Sequence, residues 1–341
     1  MKKRINTLFI LGFWVLCLSP YYGFNLSGQV GMEKRELTVL TWKGDFSKNI
    51  EAWLNDRIGP KELATELYSR FHYLLMLNND LVLKGKDHWL FYCDKDDGDV
   101  FGDWLGRNPL STEELEKIVS NLIRSQKKME QKRIKFLLVI APNKERIYRE
   151  FLPDNFSEFG NNTRLNQIKE RLKKHPDIHF LDLGSEILER KKNSTYPLYY
   201  KADTHWNSLG AFWGSYAIVE KFNGMNIILP KLKLSDFSIT VSKKETGDLV
   251  TPMGLKSYPH DLEIELVRVQ QSTNNLPTRI LLLGDSFGVA LEPFLKNFFP
   301  NFYFERRSHA NGFIKRFKPD IVVLEIAERY AGHDLQSLVL E

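Results

Sequence analysis

Ser286 has the residue type and the position of a catalytic nucleophile. Residues 279–283 form an apolar run that is too short for a helix and stops at the turn signal Gly284-Asp285, so they predict a buried parallel strand. Residues 288–298 favour a helix. Ser286 is therefore predicted at a strand-to-helix junction, where the unpaired backbone N–H groups of a helix start can stabilise an oxyanion.

Asp203 and His205 supply the partners that such a serine requires. A serine hydroxyl is a poor nucleophile until an imidazole removes its proton, and a carboxylate best holds that imidazole. The two residues are two positions apart, so they project to the same side of an extended or tightly turned segment. The alternative is that Asp285 and Ser286 only cap the helix that follows them. The upstream Asp203-Thr204-His205 stretch favours catalysis over capping alone.

The elements around these residues predict one α/β domain with a parallel sheet. Short apolar strands alternate with amphipathic helices from Ser111 onward. Strands are predicted at 135–141, 178–183, 279–283, 302–304 and 320–326, and helices at about 111–132, 163–174 and 208–222. In such sheets ligands bind beyond the carboxyl ends of the strands, where Asn143 and Ser286 both lie. Residues 223–277 lose the pattern and are predicted to form an excursion from the sheet, as a small lid or a binding surface.

Residues 1–24 have the layout of an export signal. A basic cluster is followed by an apolar run whose length is marginal for a membrane span. We therefore assign residues 1–30 to a signal peptide or an N-terminal membrane anchor, with cleavage left open. Residues 31–341 are assigned to a catalytic domain that includes the excursion at about 223–277. The protein is expected to be extracytoplasmic, in the periplasm or at the cell surface, and either anchored to the membrane or secreted.

Charge and cysteine content exclude several functional classes. The net charge of the 341 residues is +5, and Lys2, Lys3 and Arg4 supply three of these charges, so about +2 remains for the rest. This balance argues against nucleic acid as a partner. Two cysteines and no paired Cys/His spacing give no support for a zinc site, and we expect neither a metal nor a cofactor.

The chain resembles the AlgX/AlgJ-like family, the SGNH-hydrolase-like proteins of bacterial alginate O-acetylation. The Asp203-Thr-His205-Trp-Asn stretch precedes Gly284-Asp-Ser286-Phe by about eighty residues, the permuted order expected of this family. Five further landmarks follow the family's usual order: Trp53-Leu-Asn-Asp-Arg57, Gly85-Lys-Asp-His-Trp89-Leu-Phe91, Ile140-Ala-Pro-Asn143-Lys144, Gly247-Asp-Leu249 and Glu328-Arg329-Tyr330. The resemblance implies a three-layer SGNH-hydrolase-like fold around a central, mainly parallel sheet.

The resemblance also implies a function and its residues. Ser286 would be the nucleophile, His205 the general base and acid, and Asp203 the carboxylate that orients it. The backbone at Ser286 and the side chain of Asn143 are the candidate oxyanion donors. Arg329 is assigned to a carboxylated or hydroxyl-rich sugar or to an ion pair, and Trp206 to the substrate or to packing, with Asn207 as a capping group. The expected activity is transfer of acetyl groups to a cell-surface or exported polysaccharide, with a membrane-bound O-acyltransferase as the acetyl supplier.

Two other functions stay open. A carbohydrate acetyl esterase uses the same triad and differs only in passing the acyl group to water. A non-catalytic polysaccharide-binding scaffold of an export complex belongs to another class, and it has no chemical need for a serine, a histidine and an aspartate together.

Overall fold

The computed structural model describes residues 29–30, 35–42, 44–57, 67–68, 71, 80–156, 162–255, 257–269 and 276–341. The predicted export segment at residues 1–24 lies outside this part of the chain. Among the described residues, no helix combines the length and the apolar character needed to cross a membrane. The chain divides into two compact units, residues 1–78 with 251–256, and residues 79–250 with 257–341.

The described residues of the smaller unit include a short antiparallel strand pair and a helix. Strands β1 (Gln29–Val30) and β2 (Arg35–Glu36) pair with each other, and helix α1 covers Phe46–Arg57. Near the end of α1, the Asp56 carboxylate accepts hydrogen bonds from the Thr38 amide at 2.8 Å and from the Thr38 hydroxyl at 2.5 Å. The family landmark Trp53-Leu-Asn-Asp-Arg57 forms the C-terminal end of this helix.

The larger unit carries the remaining described elements. Its strands are β3 (Val82–Lys84), β4 (Leu90–Tyr92), β5 (Lys135–Ala141), β6 (Phe180–Asp182), β7 (Phe237–Lys244), β8 (Asp261–Arg268), β9 (Arg279–Gly284), β10 (Asn301–Arg306) and β11 (Ile321–Ala327). Its helices are α2 (Val100–Trp104), α3 (Thr112–Gln131), α4 (Lys144–Ile147), α5 (Arg164–Leu172), α6 (Gly184–Lys192), α7 (Ser208–Gly224), α8 (Ser286–Leu295), α9 (Ala310–Phe317) and α10 (Glu328–Ser337).

Five strands form one parallel sheet in the order β10-β9-β11-β5-β6. The β9, β11 and β5 strands are almost entirely buried, which is the reason for their mainly apolar sequences; in β11 the buried Glu325 interrupts the apolar run. The register places Leu283 opposite Leu324, and Ala327 opposite Ala141. The carboxyl ends of these three central strands therefore meet at one edge of the sheet.

Helices cover both faces of the sheet, which confirms the predicted three-layer α/β fold. Alternate strand residues such as Leu137, Val139 and Leu282 pack on one face with side chains of α6, α7 and α8. Residues such as Leu138 and Leu281 point to the other face and pack with α3, α5, α9 and α10. The capping box predicted at Ser111 opens α3, with both reciprocal hydrogen bonds to Glu114 present.

The predicted excursion at 223–277 contains the antiparallel pair β7 and β8, which is separate from the five-stranded sheet. Its buried side chains include Phe237 and Ile264, and the Leu266 amide donates to the Ser208 hydroxyl at the start of α7. Its role as a lid or a binding surface stays a prediction. The start of β8 nevertheless contributes to the candidate site, through Asp261.

Candidate active site

Regular structure fixes the position of Ser286, the predicted nucleophile. Strand β9 ends at Gly284, Asp285 caps the next helix, and Ser286 is the first residue of α8. One carboxylate oxygen of Asp285 accepts the Phe287 amide at 2.9 Å. Its other oxygen accepts the Ala327 amide at 2.8 Å and the Arg307 guanidinium at 3.0 Å. Asp285 thus caps α8 and also holds the junction between β9 and α8 against the end of β11 by a hydrogen bond.

Asp203, His205 and Ser286 form a continuous hydrogen-bonded chain. Asp203 Oδ1 lies 2.6 Å from His205 Nδ1, and His205 Nε2 lies 2.6 Å from Ser286 Oγ. The Phe287 ring packs against the imidazole, with ring centroids 5.0 Å apart. This order of carboxylate, imidazole and hydroxyl is the arrangement that activates a serine for attack on an acyl group.

A loop that we call the His205 loop, residues 199–206, carries Asp203 and His205. An isolated bridge between Tyr199 and Trp206 closes it, and the Tyr200 amide donates to the His205 carbonyl at 3.2 Å. The Ala202 amide donates to Asp261, a buried carboxylate at the start of β8, at 2.8 Å. A side chain at Gly247 would meet the Ala202 carbonyl oxygen at 2.1 Å, so glycine is required where residues 247–249 pass the loop.

Asp248 is a second carboxylate beside His205. Its Oδ2 lies 3.4 Å from His205 Nδ1 and accepts the Thr204 hydroxyl at 2.5 Å. Its Oδ1 accepts the Thr204 amide at 2.7 Å, and its own amide donates to Asp203 Oδ2 at 3.1 Å. Asp248 therefore orients the Asp203 carboxylate and adds negative charge next to the imidazole.

These carboxylates control the protonation of His205. Burial alone lowers the pKa of His205, but hydrogen bonds and negative charge from Asp203 and Asp248 outweigh burial and raise it from 6.5 to about 9. Burial raises the pKa of Asp203, and the hydrogen bonds and charge of His205 outweigh burial and lower it from 3.8 to about 2. The hydrogen bonds and the negative charge of the two carboxylates therefore favour the imidazolium form of His205 over the neutral imidazole.

Asp203, His205 and Asp248 also place one possible metal-ligating atom each within 4.8 Å of one another. Both ring nitrogens of His205 already have partners, because Nδ1 faces Asp203 and Nε2 faces the Ser286 hydroxyl. The geometry is that of proton transfer along a chain of hydrogen bonds.

Lys144 supports the His205 loop from the carboxyl end of β5. Its Nζ donates to the carbonyl oxygens of Tyr200 and Lys201, each at 3.2 Å, and of Asp203 at 2.7 Å. The side chain is buried, and burial lowers its pKa from 10.5 to about 8.

Comparison with known proteins shows the family of the chain. A family model described as "SGNH hydrolase-like domain, acetyltransferase AlgX" matches residues 82–313. The chain belongs to this family. The predicted resemblance is thereby confirmed, and the matched region contains Asp203, His205 and Ser286.

Individual proteins match this chain over different lengths. The probable alginate O-acetylase AlgJ of Pseudomonas syringae pv. tomato is 26% identical over 209 residues, which are 61% of this chain and 47% of AlgJ, so the chain spans about half the length of this curated relative. The O-acetyltransferase domain of Pseudomonas putida AlgJ superimposes with a TM-score of 0.51 at 21% identity, covering 75% of this chain and 93% of that domain. Bacillus cereus PatB1 gives a TM-score of 0.55 at 16% identity, covering 76% and 99%. The two structures support the fold.

The other predicted site residues occupy distinct positions. Trp206 is buried, with its ring against Phe287 and Tyr199. Asn207 caps α7 by accepting the amides of Leu209 and Gly210, as predicted. The Trp206 ring therefore supports the residue next to the nucleophile, and its contact with substrate stays a prediction.

Asn143 and Arg329 both follow strands that end at the site edge. The Asn143 amide donates to Glu328 at 3.0 Å, and its side chain makes no capping hydrogen bond to α4. The Arg329 guanidinium lies over the rings of Tyr92, Phe287 and Tyr330, 4.9 to 6.0 Å from their centroids. Their roles as oxyanion donor and sugar contact stay predictions.

The sequence reasoning missed three residues that organise the His205 loop: Lys144, Asp248 and Asp261. Lys144 and Asp248 occur in family landmarks, Asn143-Lys144 and Gly247-Asp248-Leu249, and this was the signal that could have found them. Asp261 had no such signal, because only the folded chain brings β8 beside Ala202.

Proposed function

We propose that this protein transfers acetyl groups from an ester donor to hydroxyls of a polysaccharide, through an acetyl-serine on Ser286. The observation that carries the proposal is the pair of hydrogen bonds that link Asp203 to His205 and His205 to Ser286, each 2.6 Å long. Membership of the family described by acetyltransferase AlgX supports acetyl transfer as the reaction class.

The first half of the reaction forms the acetyl-serine. His205 must be neutral, so that Nε2 can take the proton as Ser286 Oγ attacks the acetyl carbonyl carbon. The resulting oxyanion is stabilised by the Ser286 amide, which as the first N–H of α8 has no intrahelical acceptor. When the intermediate collapses, the bond from the acetyl carbon to the donor oxygen breaks, and His205 returns its proton to that oxygen.

The second half reverses these roles. A sugar hydroxyl gives its proton to His205 and attacks the acetyl carbon of the acyl-serine. The ester bond to Ser286 Oγ breaks, and His205 reprotonates that oxygen. The net result is one ester broken in the donor and one formed on the sugar, with the enzyme unchanged.

Arg329 is proposed to contact the acceptor. Its guanidinium lies 6.0 Å from the Phe287 ring centroid, beside the nucleophile, and no carboxylate oxygen lies within 4.0 Å of it in the described part of the chain. Its Nε is buried and has no hydrogen-bond partner among the described residues. A carboxylate or a pair of hydroxyls on a sugar is a suitable partner for this fork of donors.

The location and the donor complete the proposal. The predicted export segment at residues 1–24 supports action outside the cytoplasm, with the segment serving as a signal or as a membrane anchor. The family resemblance supports a membrane-bound O-acyltransferase as the acetyl supplier. The curated relative AlgJ is described as a probable alginate O-acetylase, and we propose an exported polysaccharide as the acceptor here.

An acetyl esterase is a second candidate, because the side chain of His205 retains 26% of its exposure. Water can therefore approach the base that would activate it, and hydrolysis of the acyl-serine would result. Transfer to sugar requires that the bound acceptor displace this water.

The test incubates the full chain with a chromogenic acetyl ester, with and without oligosaccharide acceptors, and follows the products by mass spectrometry. We expect acetylated sugar, and we expect both ester turnover and transfer to be lost in His205→Ala. Acetate release that no acceptor changes would identify an esterase. Absence of turnover and of acyl-serine would leave the polysaccharide-binding scaffold.

A further inference from the structure

Lys144 is a buried ammonium whose described partners are all backbone carbonyls. Its three N–H donors match three acceptors, the carbonyl oxygens of Tyr200, Lys201 and Asp203, at 3.2, 3.2 and 2.7 Å. Only 2% of the residue is exposed, and no carboxylate oxygen lies within 4.0 Å of Nζ in the part of the chain that the structure describes. This arrangement is unusual, because a buried lysine is ordinarily paired with an acid.

The surroundings of Lys144 explain how the charge is tolerated. Its Nζ lies 5.7 Å from the centroid of Trp89 and 5.3 Å from that of Phe91, at distances where an aromatic face attracts a cation. Both rings are fully buried, so water cannot replace the three carbonyls as partners of the ammonium. Burial without these acceptors would be strongly unfavourable, and the side chain therefore keeps the His205 loop in contact with it.

The position of the three acceptors gives Lys144 a functional consequence. All of them belong to the His205 loop, and the shortest contact is to the carbonyl of Asp203, the residue whose side chain holds His205. Lys144 is the first residue of α4, three positions after the end of β5. The ammonium thus connects the edge of the rigid sheet to the backbone of Asp203, the carboxylate that orients His205.

We propose that Lys144 is a positioning residue, which fixes the Asp203 backbone so that the carboxylate meets His205 Nδ1 in the orientation needed for serine activation. The proposal rests on the proposed function for the role of His205 as general base. It does not depend on the identity of the acetyl donor or of the sugar.

The deciding variant is Lys144→Met, which keeps the length of the side chain and removes all three donors. Two readouts avoid acetyl and sugar chemistry: the rate at which a fluorophosphonate labels Ser286, and the titration of the His205 ring by NMR. We expect labelling to slow by about 10- to 100-fold, because a displacement of about 1 Å in a catalytic group has effects of that size. We expect the pKa of His205 to fall from about 9 toward 6.5 as Asp203 loses its alignment.

The direction of the pKa change separates positioning from simple electrostatics. Loss of a nearby positive charge, with the loop unmoved, would raise the pKa of His205, whereas loss of the Asp203 contact lowers it. A raised or unchanged pKa with normal labelling, in a folded Lys144→Met protein, would overturn the proposal. In that case Lys144 would only stabilise the fold.

Lys191→Met is the matched control. Lys191 Nζ also donates to a backbone carbonyl, that of Ile147 at the end of α4, at 2.6 Å, and lies 4.4 Å from the ring centroid of Tyr148. Unlike Lys144, it also forms an ion pair, with Glu150 at 2.5 Å. It makes no described contact with the His205 loop, so labelling and the His205 titration should stay at the wild-type values. An equal loss in both lysine variants would contradict a specific role for Lys144.

Lys144→Gln keeps the proposal testable should Lys144→Met not fold. The amide retains two N–H donors without the charge, so we expect its labelling rate to lie between those of Lys144→Met and the wild type. Its turnover of a small ester should show a lower kcat with little change in KM.

The proposal would be overturned if Ser286 were labelled at the wild-type rate in a folded Lys144→Gln protein whose glutamine makes no hydrogen bond to the His205 loop. Should wild-type Ser286 react with fluorophosphonate but never acetylate sugar, the proposed function fails while this inference stands.

Discussion

Ser286 lies where a strand ends and a helix begins, whereas Asp203 and His205 lie in a loop closed by one isolated bridge. On the Ser286 side, the sheet register and the Asp285 cap determine the position of the nucleophile. On the His205 side, Lys144, Asp248 and Asp261 supply the hydrogen bonds to the loop that regular structure supplies elsewhere. The comparison indicates that Ser286 is placed by local structure and His205 by charged side chains from distant parts of the chain, of which Lys144 and Asp261 are buried.

The largest effect is expected for Ser286→Ala. Removal of the nucleophile should lower the turnover of an acetyl ester by about 10³-fold or more, because the rest of the triad cannot form the acyl intermediate. Ser308→Ala is the matched control, since Ser308 Oγ also contacts a histidine ring, at 3.1 Å from His309 Nδ1, but is exposed and has no described carboxylate behind that ring. Equal activity in both variants would remove Ser286 from the mechanism.

Asp203→Asn tests the His205 side of the comparison. The amide preserves the shape of the carboxylate but cannot hold the imidazolium, so kcat should fall by about 10³- to 10⁴-fold with little change in fold. Circular dichroism and thermal unfolding check the fold, and ester turnover measures the loss. A kcat within a few-fold of the wild type would show that Asp248 can replace Asp203 as the carboxylate of the triad.

The pH dependence measures what Asp248 adds. Because neutral His205 is the active base and its pKa is raised to about 9, kcat/KM should rise with pH through the neutral range until that value is passed. Asp248→Asn removes negative charge at 3.4 Å from Nδ1, so the rising limb should move to lower pH and activity at pH 7 should increase. An unmoved limb would mean that Asp203 alone sets the protonation of His205.

The smallest effect is expected for glycine substitutions, read as stability. Gly247→Ala would push a methyl group to 2.1 Å from the Ala202 carbonyl oxygen and should destabilise the fold by about 1–3 kcal/mol through overpacking. Gly312→Ala, in helix α9 with no neighbouring atom within 4 Å, should be neutral or stabilising by up to about 1 kcal/mol. Chemical denaturation compares the free energies of unfolding of the two variants. Equal stability would show that residues 247–249 can move away from the His205 loop to make room for the methyl group.

The sequence predicted the parts of the molecule that local patterns determine. The strands of the sheet, the capping box at Ser111 and the junction at Ser286 all follow from apolar runs, turn residues and caps within a few positions. Even the permuted order of the triad residues could be read from two short motifs. These features need no knowledge of which distant segments meet.

The supports of the His205 loop could not be predicted in the same way. The sequence around Lys144 and Asp261 does not predict that their partners are the carbonyl and amide groups of residues 200–203. Those contacts form only when β5 and β8 have taken their places in the fold. A buried lysine in a short helix and an acid at a strand start have ordinary sequence patterns. The Gly247-Asp248-Leu249 pattern likewise indicated a family landmark, but it did not indicate what Asp248 does.

The most direct test of the central claim is detection of the acyl-enzyme. The full chain is mixed with an acetyl ester, quenched in acid within the first turnover, digested and analysed by mass spectrometry. We predict an acetyl group on Ser286, which disappears when an oligosaccharide acceptor is added before the quench and reappears on the sugar. A peptide containing unmodified Ser286 during active turnover, or an acetyl group on another residue that persists in Ser286→Ala, would contradict the account.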